Sequence, residues 1–121
     1  RYGRILGYVF KGARDINRIL VTEGLAVTYC IYPNLSHCED YGRLTERARA
    51  ADRGFFSDSS VELPYDWRRV ESGRPVEKYV GDYRTGRVYM PGQAFRIPVG
   101  YRVFFIEESD IRAPFYLANA E

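Results

Sequence analysis

Cys30, His37 and Cys38 have the side chains suited to soft-metal or thiol chemistry, and they lie close together in the chain. Their C-x6-H-C spacing matches no standard zinc pattern and supplies no fourth ligand. A buried Cys30 and a Cys38 on a loop are expected, each acting as a small apolar group. A disulfide between them stays open, because two cysteines do not declare a redox compartment. His37 is the sole histidine, so any hydrolase triad would have to use it. The chain has no G-x-S-x-G context, and Cys38 is the immediate neighbour of His37, a poor geometry for a base and its nucleophile. Glu39, Asp40 and Glu46 have the type for paired acid–base work. Glu39 and Asp40 open a predicted helix, however, where the macrodipole already favours negative charge.

Among the 18 basic residues all but Lys11 and Lys78 are arginine. Guanidinium forks suit carboxylate and phosphate partners, although genome composition favours arginine as well. Trp67-Arg68 and Tyr83-Arg84 each join a ring to a fork that could stack a base or hold a phosphate. Packing of Trp67 over the main domain, with its arginines solvated, is the expected use.

Those residues need elements to position them. The 121 residues are 45% hydrophobic and 28% charged, enough for one modest core and against disorder along the whole length. A net charge of +2 is too slight for whole-surface attraction to nucleic acid. No apolar run approaches the roughly 20 residues of a membrane-spanning helix, so no membrane partner is expected. The chain opens on Arg1 with no signal-peptide pattern, which gives the expectation of a fragment.

Ile5 to Phe10 is β-branched and aromatic and predicts a strand, closed by a turn at Gly12. Asp15 suits the N-cap of a short helix carrying Ile16, Ile19 and Leu20 on one face, and Gly24 stands where a left-handed C-cap belongs. Leu25 to Tyr32 reads as extended, stopped by Pro33-Asn34. A second helix is predicted from about Glu39 to Arg53, with Leu44, Ala48 and Ala51 inside and Gly54 ending it. Glu46, Arg47, Arg49, Asp52 and Arg53 are placed mostly on its wet side. Residues 61–74 read as a linker with an aromatic-basic anchor at Tyr65 to Arg69. Residues 75–121 form a small β-rich unit, with strands over Glu77–Gly81, Gly86–Met90 and Tyr101–Ile106 and a helical turn within Glu107–Arg112. So short a unit has too little core to stand alone and is expected to pack on the first segment or on another part of the protein.

The order Tyr2-Gly3-Arg4, strand, Asn17-x-x-Leu20-Val21-x-x-Gly24-Leu25-Ala26, Tyr32, helix, Gly54-Phe55-Phe56 resembles the thermonuclease, or staphylococcal-nuclease-like, family. Pro64-Tyr65-Asp66-Trp67-Arg68-Arg69 is similar to the segment that follows this domain in many bacterial members. The resemblance covers the second half of that domain, residues 1–60. It implies an α+β fold: a partial OB-type barrel with two helices, followed by the β-rich unit. It also implies hydrolysis of DNA or RNA phosphodiester bonds with calcium in the intact parent. The family's acidic metal ligands and general-base glutamate belong to D-G-D-T-like and D-T-P-E-like motifs that this chain does not contain, so no cofactor is expected in this chain and its own activity is expected to be nil.

Arg4 matches a family arginine that stabilises charge on phosphoryl oxygens, a role suited to a bidentate donor. Tyr32 and Tyr29 match the aromatic region beside the nucleotide, and the spacing after Ala26 leaves the choice between them open. Nucleic acid is the implied partner, together with the missing half of the domain or a strand-pairing chain. Tyr79-Val80-Gly81, Arg87-Val88-Tyr89 and Arg102 to Phe105 resemble a small Ada-like zinc module. The positions where that module carries cysteines hold other residues here. The other function class is a non-catalytic binding module, completed by a partner chain or a swapped dimer through the open edge that Tyr2 to Phe10 would leave.

Overall fold

The computed structural model describes residues 7–67, 73 and 78–118. Its first element is a short antiparallel hairpin of β1 (Phe10–Lys11) and β2 (Arg14–Asp15), with Phe10 opposite Asp15. The predicted strand over Ile5–Phe10 is therefore corrected within the described residues: 7–9 make no ladder, and pairing begins only at Phe10. Gly12, at φ 62°, makes the turn.

Helix α1 (Ile16–Thr22) starts where the sequence signals it. The Asp15 carboxylate accepts the Arg18 N–H at 2.9 Å, satisfying one of the unpaired donors of the first turn. At the other end Gly24 is left-handed, at φ 71°. Its N–H donates to the Val21 carbonyl and that of Leu25 to the Leu20 carbonyl, which is the Schellman pattern. Gly54 is left-handed as well, and the two glycine turns lie against each other. A Cβ on Gly24 would sit 2.3 Å from the Arg53 carbonyl oxygen, and one on Gly54 would sit 2.1 Å from that of Gly24. Helix α1 is thus locked to the end of α2 (Cys38–Ala50) by backbone contact that tolerates no side chain.

Helix α2 carries Glu39 and Asp40 in its first turn and Arg47 and Arg49 in its last, both favourable to the dipole. Its inner face buries Tyr41, Leu44, Thr45 and Ala48. It also buries Glu46, which the charge pattern places on the wet side. Glu46 is 9% exposed because α2 crosses the 3-10 turn Val99–Tyr101 at a glycine–glycine contact. A Cβ on Gly42 would lie 2.0 Å from the Gly100 carbonyl oxygen. At that distance the Glu46 carboxylate accepts the Gly100 N–H at 3.1 Å, and Arg49 closes on it at 2.6 Å.

The main sheet has five strands in the order β3-β6-β4-β5-β7: β3 (Cys30–Ile31), β6 (Arg102–Phe105), β4 (Tyr79–Asp82), β5 (Arg87–Tyr89) and β7 (Tyr116–Leu117). β4 runs antiparallel to β5 and β6, while β3–β6 and β5–β7 are parallel pairs. Strand β3 comes from the first segment, so the C-terminal strands pack on that segment by sharing a sheet with it. Side chains alternate between the two faces, as the strand period requires. Val103, Phe105 and Val88 bury on one face with Cys30 and Cys38, and Phe104 and Val80 bury on the other with Ala94 and Ile97. This mixed α+β architecture agrees with the α+β, OB-type expectation. The helical turn expected within Glu107–Arg112 is present as a 3-10 turn at Glu108–Asp110. The sequence reading misses β7 and the other 3-10 turns, whose two to four residues are too short to show a period.

Cys30 and Cys38 are joined in a disulfide, with Cα atoms 6.0 Å apart. Cys38 is the first residue of α2 and is buried, which corrects its placement on a loop. Packing brings the two together: β3 pairs with β6, and α2 begins directly behind it.

Candidate nucleic-acid interface

Arg4, on which the family resemblance places phosphate chemistry, lies outside the described residues. The two tyrosines are described, and the sheet separates them. Tyr32 stacks on Phe105 at 5.3 Å with planes 27° apart and joins the cluster around the disulfide. Tyr29 meets Phe104 edge-on at 5.0 Å, on the opposite face, with Tyr65 at 6.0 Å and the Lys78 ammonium 6.0 Å from its ring centroid.

Tyr29 belongs to an extended segment, residues 26–29, that forms a wall shared by two cavities. The first, of about 350 Å³, is lined by Tyr8, Asn17, Thr28, His37 and Tyr41 and by the disulfide. The Tyr8 and His37 rings lie 4.0 Å apart, and His37 and Tyr41 lie 5.1 Å apart. The Tyr41 hydroxyl donates to Asp15 at 2.7 Å. Burial, and then that bond to a carboxylate, push the Tyr41 phenol up from its ordinary value. Asp15 is held below the usual carboxylate range, first by the Arg18 N–H and then by Tyr41. An aromatic cavity with amide and hydroxyl groups on its walls suits a planar, polar ring. Of its lining, sequence reasoning weighed only Tyr29, His37 and the cysteines for chemistry. Tyr8, Asn17 and Tyr41 come together from three separate elements, and no local signal announces that.

The second cavity, of about 290 Å³, lies on the other side of the wall and is lined by Leu25, Phe55, Tyr65, Phe104 and Arg102. Arg102 donates through Nε to the Ile97 carbonyl at 2.8 Å, and burial lowers its pKa from the ordinary value. Tyr83-Arg84 does not serve a ligand. Arg84 pairs with Asp82 at 2.7 Å and lies 4.0 Å from the Tyr101 ring centroid. Trp67 is 54% exposed, which corrects its expected packing over the domain; Arg68 lies outside the described residues.

Both cysteines are spent in the disulfide, so neither is a nucleophile or a metal ligand. The resemblance implies calcium, which takes six to eight oxygen ligands, several of them carboxylates. The described acidic residues do not fit it. Asp40 is engaged by Arg18 and Arg43, Glu46 by Arg49 and Gly100, and Asp82 by Arg84. Among the described residues no three His, Cys, Asp or Glu side chains gather to hold a metal ion.

A five-stranded sheet, a two-stranded hairpin and a few helices, with cavities on either side of a shared wall, make a mixed α+β protein consistent with an OB-type, staphylococcal-nuclease-like fold. Residues 1–58 match the family described as "Staphylococcal nuclease homologue". The chain is 31% identical over 121 residues to "Endonuclease YhcR" of Bacillus subtilis (strain 168), covering 95% of this chain and 10% of that protein. It is 33% identical over 79 residues to "Micrococcal nuclease" of Shigella flexneri, covering 58% of this chain and 45% of that protein. A 35% identity over 71 residues relates it to an "Uncharacterized endonuclease" of Haemophilus influenzae, 59% of this chain and 38% of that protein. The chain thus spans less than half the length of each of these relatives. Their names support a nuclease-family domain here. No solved structure matches the chain.

Proposed function

We propose that this chain carries the arginine-bearing half of a nuclease domain that hydrolyses phosphodiester bonds of DNA or RNA, and that by itself it is catalytically inert. The observation that carries the reading is the family match over residues 1–58, set against Asp15, Asp40, Glu46 and Asp82 held in ion pairs and a cap and no cluster of three metal-ligating side chains among the described residues. Arg4 is the residue assigned to charge developing on the phosphoryl oxygens, where a fork of N–H donors is worth most. Tyr29, at the wall between the two cavities, is better placed than Tyr32 to meet a nucleotide, because the Tyr32 ring is stacked in the core. Calcium belongs to the acidic half of the domain. Residues 75–121 are read as an accessory unit descended from a zinc-module type that has lost its cysteines, attached through 61–74.

Two constructions test this. The chain alone, given calcium and DNA, is expected to show no turnover; clear turnover abolished by Arg4→Ala would sink the inert reading. Fused behind a segment that carries the D-G-D-T-like and D-T-P-E-like motifs, it is expected to cleave DNA or RNA in calcium and to lose that cleavage in Arg4→Ala. A well-folded fusion that never cleaves counts against the nuclease reading itself.

One observation favours a second role, a binding module completed by a partner chain or a swapped dimer. Val9, Phe10 and Leu25 are 58%, 57% and 59% exposed, and β3 is an edge strand. Apolar side chains beside open backbone invite strand addition. Light scattering behind a sizing column decides: a dimer supports it, and a stable monomer at high concentration removes it.

A further inference from the structure

The sheet face that buries Val80 and Ile97 carries, on its β5–β7 side, a row of rings and guanidinium groups that the nuclease reading does not use. Within β5, Val88 is fully buried in the disulfide cluster and its neighbours Arg87 and Tyr89 point to the opposite face, where Tyr89 packs against the cluster of Val80, Ala94 and Ile97. β7 lies parallel and in register, with Tyr116 beside Arg87, so its ring shares that face and is 54% exposed. The Arg87 guanidinium lies 5.0 Å from the Tyr89 ring centroid. Arg96 reaches the same ring at 5.6 Å and the Phe95 ring at 5.7 Å. Phe95 is 74% exposed. The result is a continuous row: Tyr116, Arg87, Tyr89, Arg96, Phe95.

Among the described residues no carboxylate pairs with the charges in this row. The four ion pairs among the described residues engage Arg18, Arg43, Arg49 and Arg84, and none engages Arg87 or Arg96. Arg96 donates to the Gln93 side-chain oxygen at 2.7 Å, a neutral partner that fixes the fork without cancelling its charge. Rings hold both arginines in place, which reduces the entropy lost when a ligand binds them. Exposed apolar rings alternating with uncompensated forks complement a chain that alternates flat, apolar faces with single negative charges. Single-stranded nucleic acid has that pattern: its bases stack on rings while its phosphates meet the cations. Duplex DNA hides its base faces, and an acidic peptide has none.

We propose that this face of residues 87–116 binds single-stranded DNA or RNA, with Phe95 and Tyr116 stacking bases and Arg87 and Arg96 holding the phosphates between them. The site is separate from the cavities around Tyr29 and does not depend on the nuclease reading.

The probe is fluorescein-labelled dT12, followed by anisotropy with the full chain in excess EDTA, so that cleavage plays no part. Saturable binding is expected, with affinity falling as salt rises. Phe95→Ala is expected to weaken binding about tenfold, in line with the loss of one base–ring stack. Arg87→Gln with Arg96→Gln is expected to flatten the salt dependence by about 1.4 in log–log slope, two phosphates' worth on a single strand. Ile106→Ser, which alters an exposed apolar residue that is not part of the row, is expected to leave affinity within about twofold, as surface changes away from contacts do. Urea transitions of each variant confirm that it folds. The proposal is overturned by absence of binding, or by unchanged affinity and salt slope in the folded variants. It is equally overturned if a blunt duplex or poly-glutamate competes as well as unlabelled dT12. Failure of the nuclease fusion would leave these outcomes untouched.

Discussion

Residues 78–118 and residues 7–58 bury their apolar side chains to different degrees. In the C-terminal strands Val80, Val88, Ile97, Val103 and Phe105 are all at 1% exposure or less, and the sheet is covered on both faces. In the first segment only the inner faces of α1 and α2 and the disulfide are closed off. Tyr8, Val9, Phe10, Leu20 and Leu25 remain between 39% and 59% exposed. The polar groups do not divide by region as a whole, since Thr28, Thr45 and Glu46 of the first segment are buried as Asp82 is, but two carboxylates show the contrast. Asp82 is 7% exposed and held by Arg84 through side-chain and backbone donors, whereas Asp40 shares Arg18 and Arg43 at a wet surface. The difference lies in the core and not in the surface, since Met90, Phe95, Ile106 and Tyr116 are open too. The first segment lends one strand to a sheet whose most deeply buried side chains come from residues 78–118.

The comparison is easiest to break where it expects the largest effect. Phe105→Ala removes a fully buried ring shared by Tyr32 and Phe115 and should cost about 4 kcal/mol by urea denaturation. If the midpoint barely moves, the C-terminal strands are not the stabilising region.

Asp82→Asn should cost about 2 kcal/mol near neutral pH, the scale of a charge-assisted hydrogen-bonded pair. Burial raises the Asp82 pKa, and the Arg84 hydrogen bonds outweigh it, so the folded carboxyl titrates below its ordinary value. A lowered folded pKa stabilises above the unfolded value of about 4 and is lost as pH falls through the folded one. The gap between wild type and Asp82→Asn should therefore close on acidification. Asp40→Asn, at the exposed pair, should cost under about 1 kcal/mol at any pH. Equal costs at the two sites would erase the distinction.

The smallest effect is expected at Leu25→Ser, within about 0.5 kcal/mol, because its side chain is already in water. A loss of several times that in the isolated chain would mean that the open face is covered, and a simultaneous fall in mass by light scattering would identify a second copy as the cover.

Local signals were legible wherever one residue settles a local choice. Asp15 capped α1, Gly24 ended it and Gly54 closed the turn after α2, because a short carboxylate or a missing Cβ acts on the nearest few backbone groups. Strands β5 and β6 fall within the segments expected for them and β4 overruns its segment by one residue, at Asp82, since apolar residues mark a buried face. The Cys30–Cys38 link was left open, as was the choice between Tyr29 and Tyr32. Both depend on which face of the sheet a side chain takes, and a shift of one residue reverses that.

By itself the sequence determined helices α1 and α2, most strand segments, the α+β class and the family match of residues 1–58, while the helical turn at 64–67 falls in a stretch it marks as linker. Those follow from short-range periodicity, caps and motif order. Tertiary structure alone decided that β3 would pair with the C-terminal strands, that Glu46 would be buried at a glycine–glycine crossing, and that Arg87 and Arg96 would meet over one tyrosine ring. Each of these joins residues distant in the chain or elements whose packing no local pattern encodes. They form only once the whole core has chosen its arrangement.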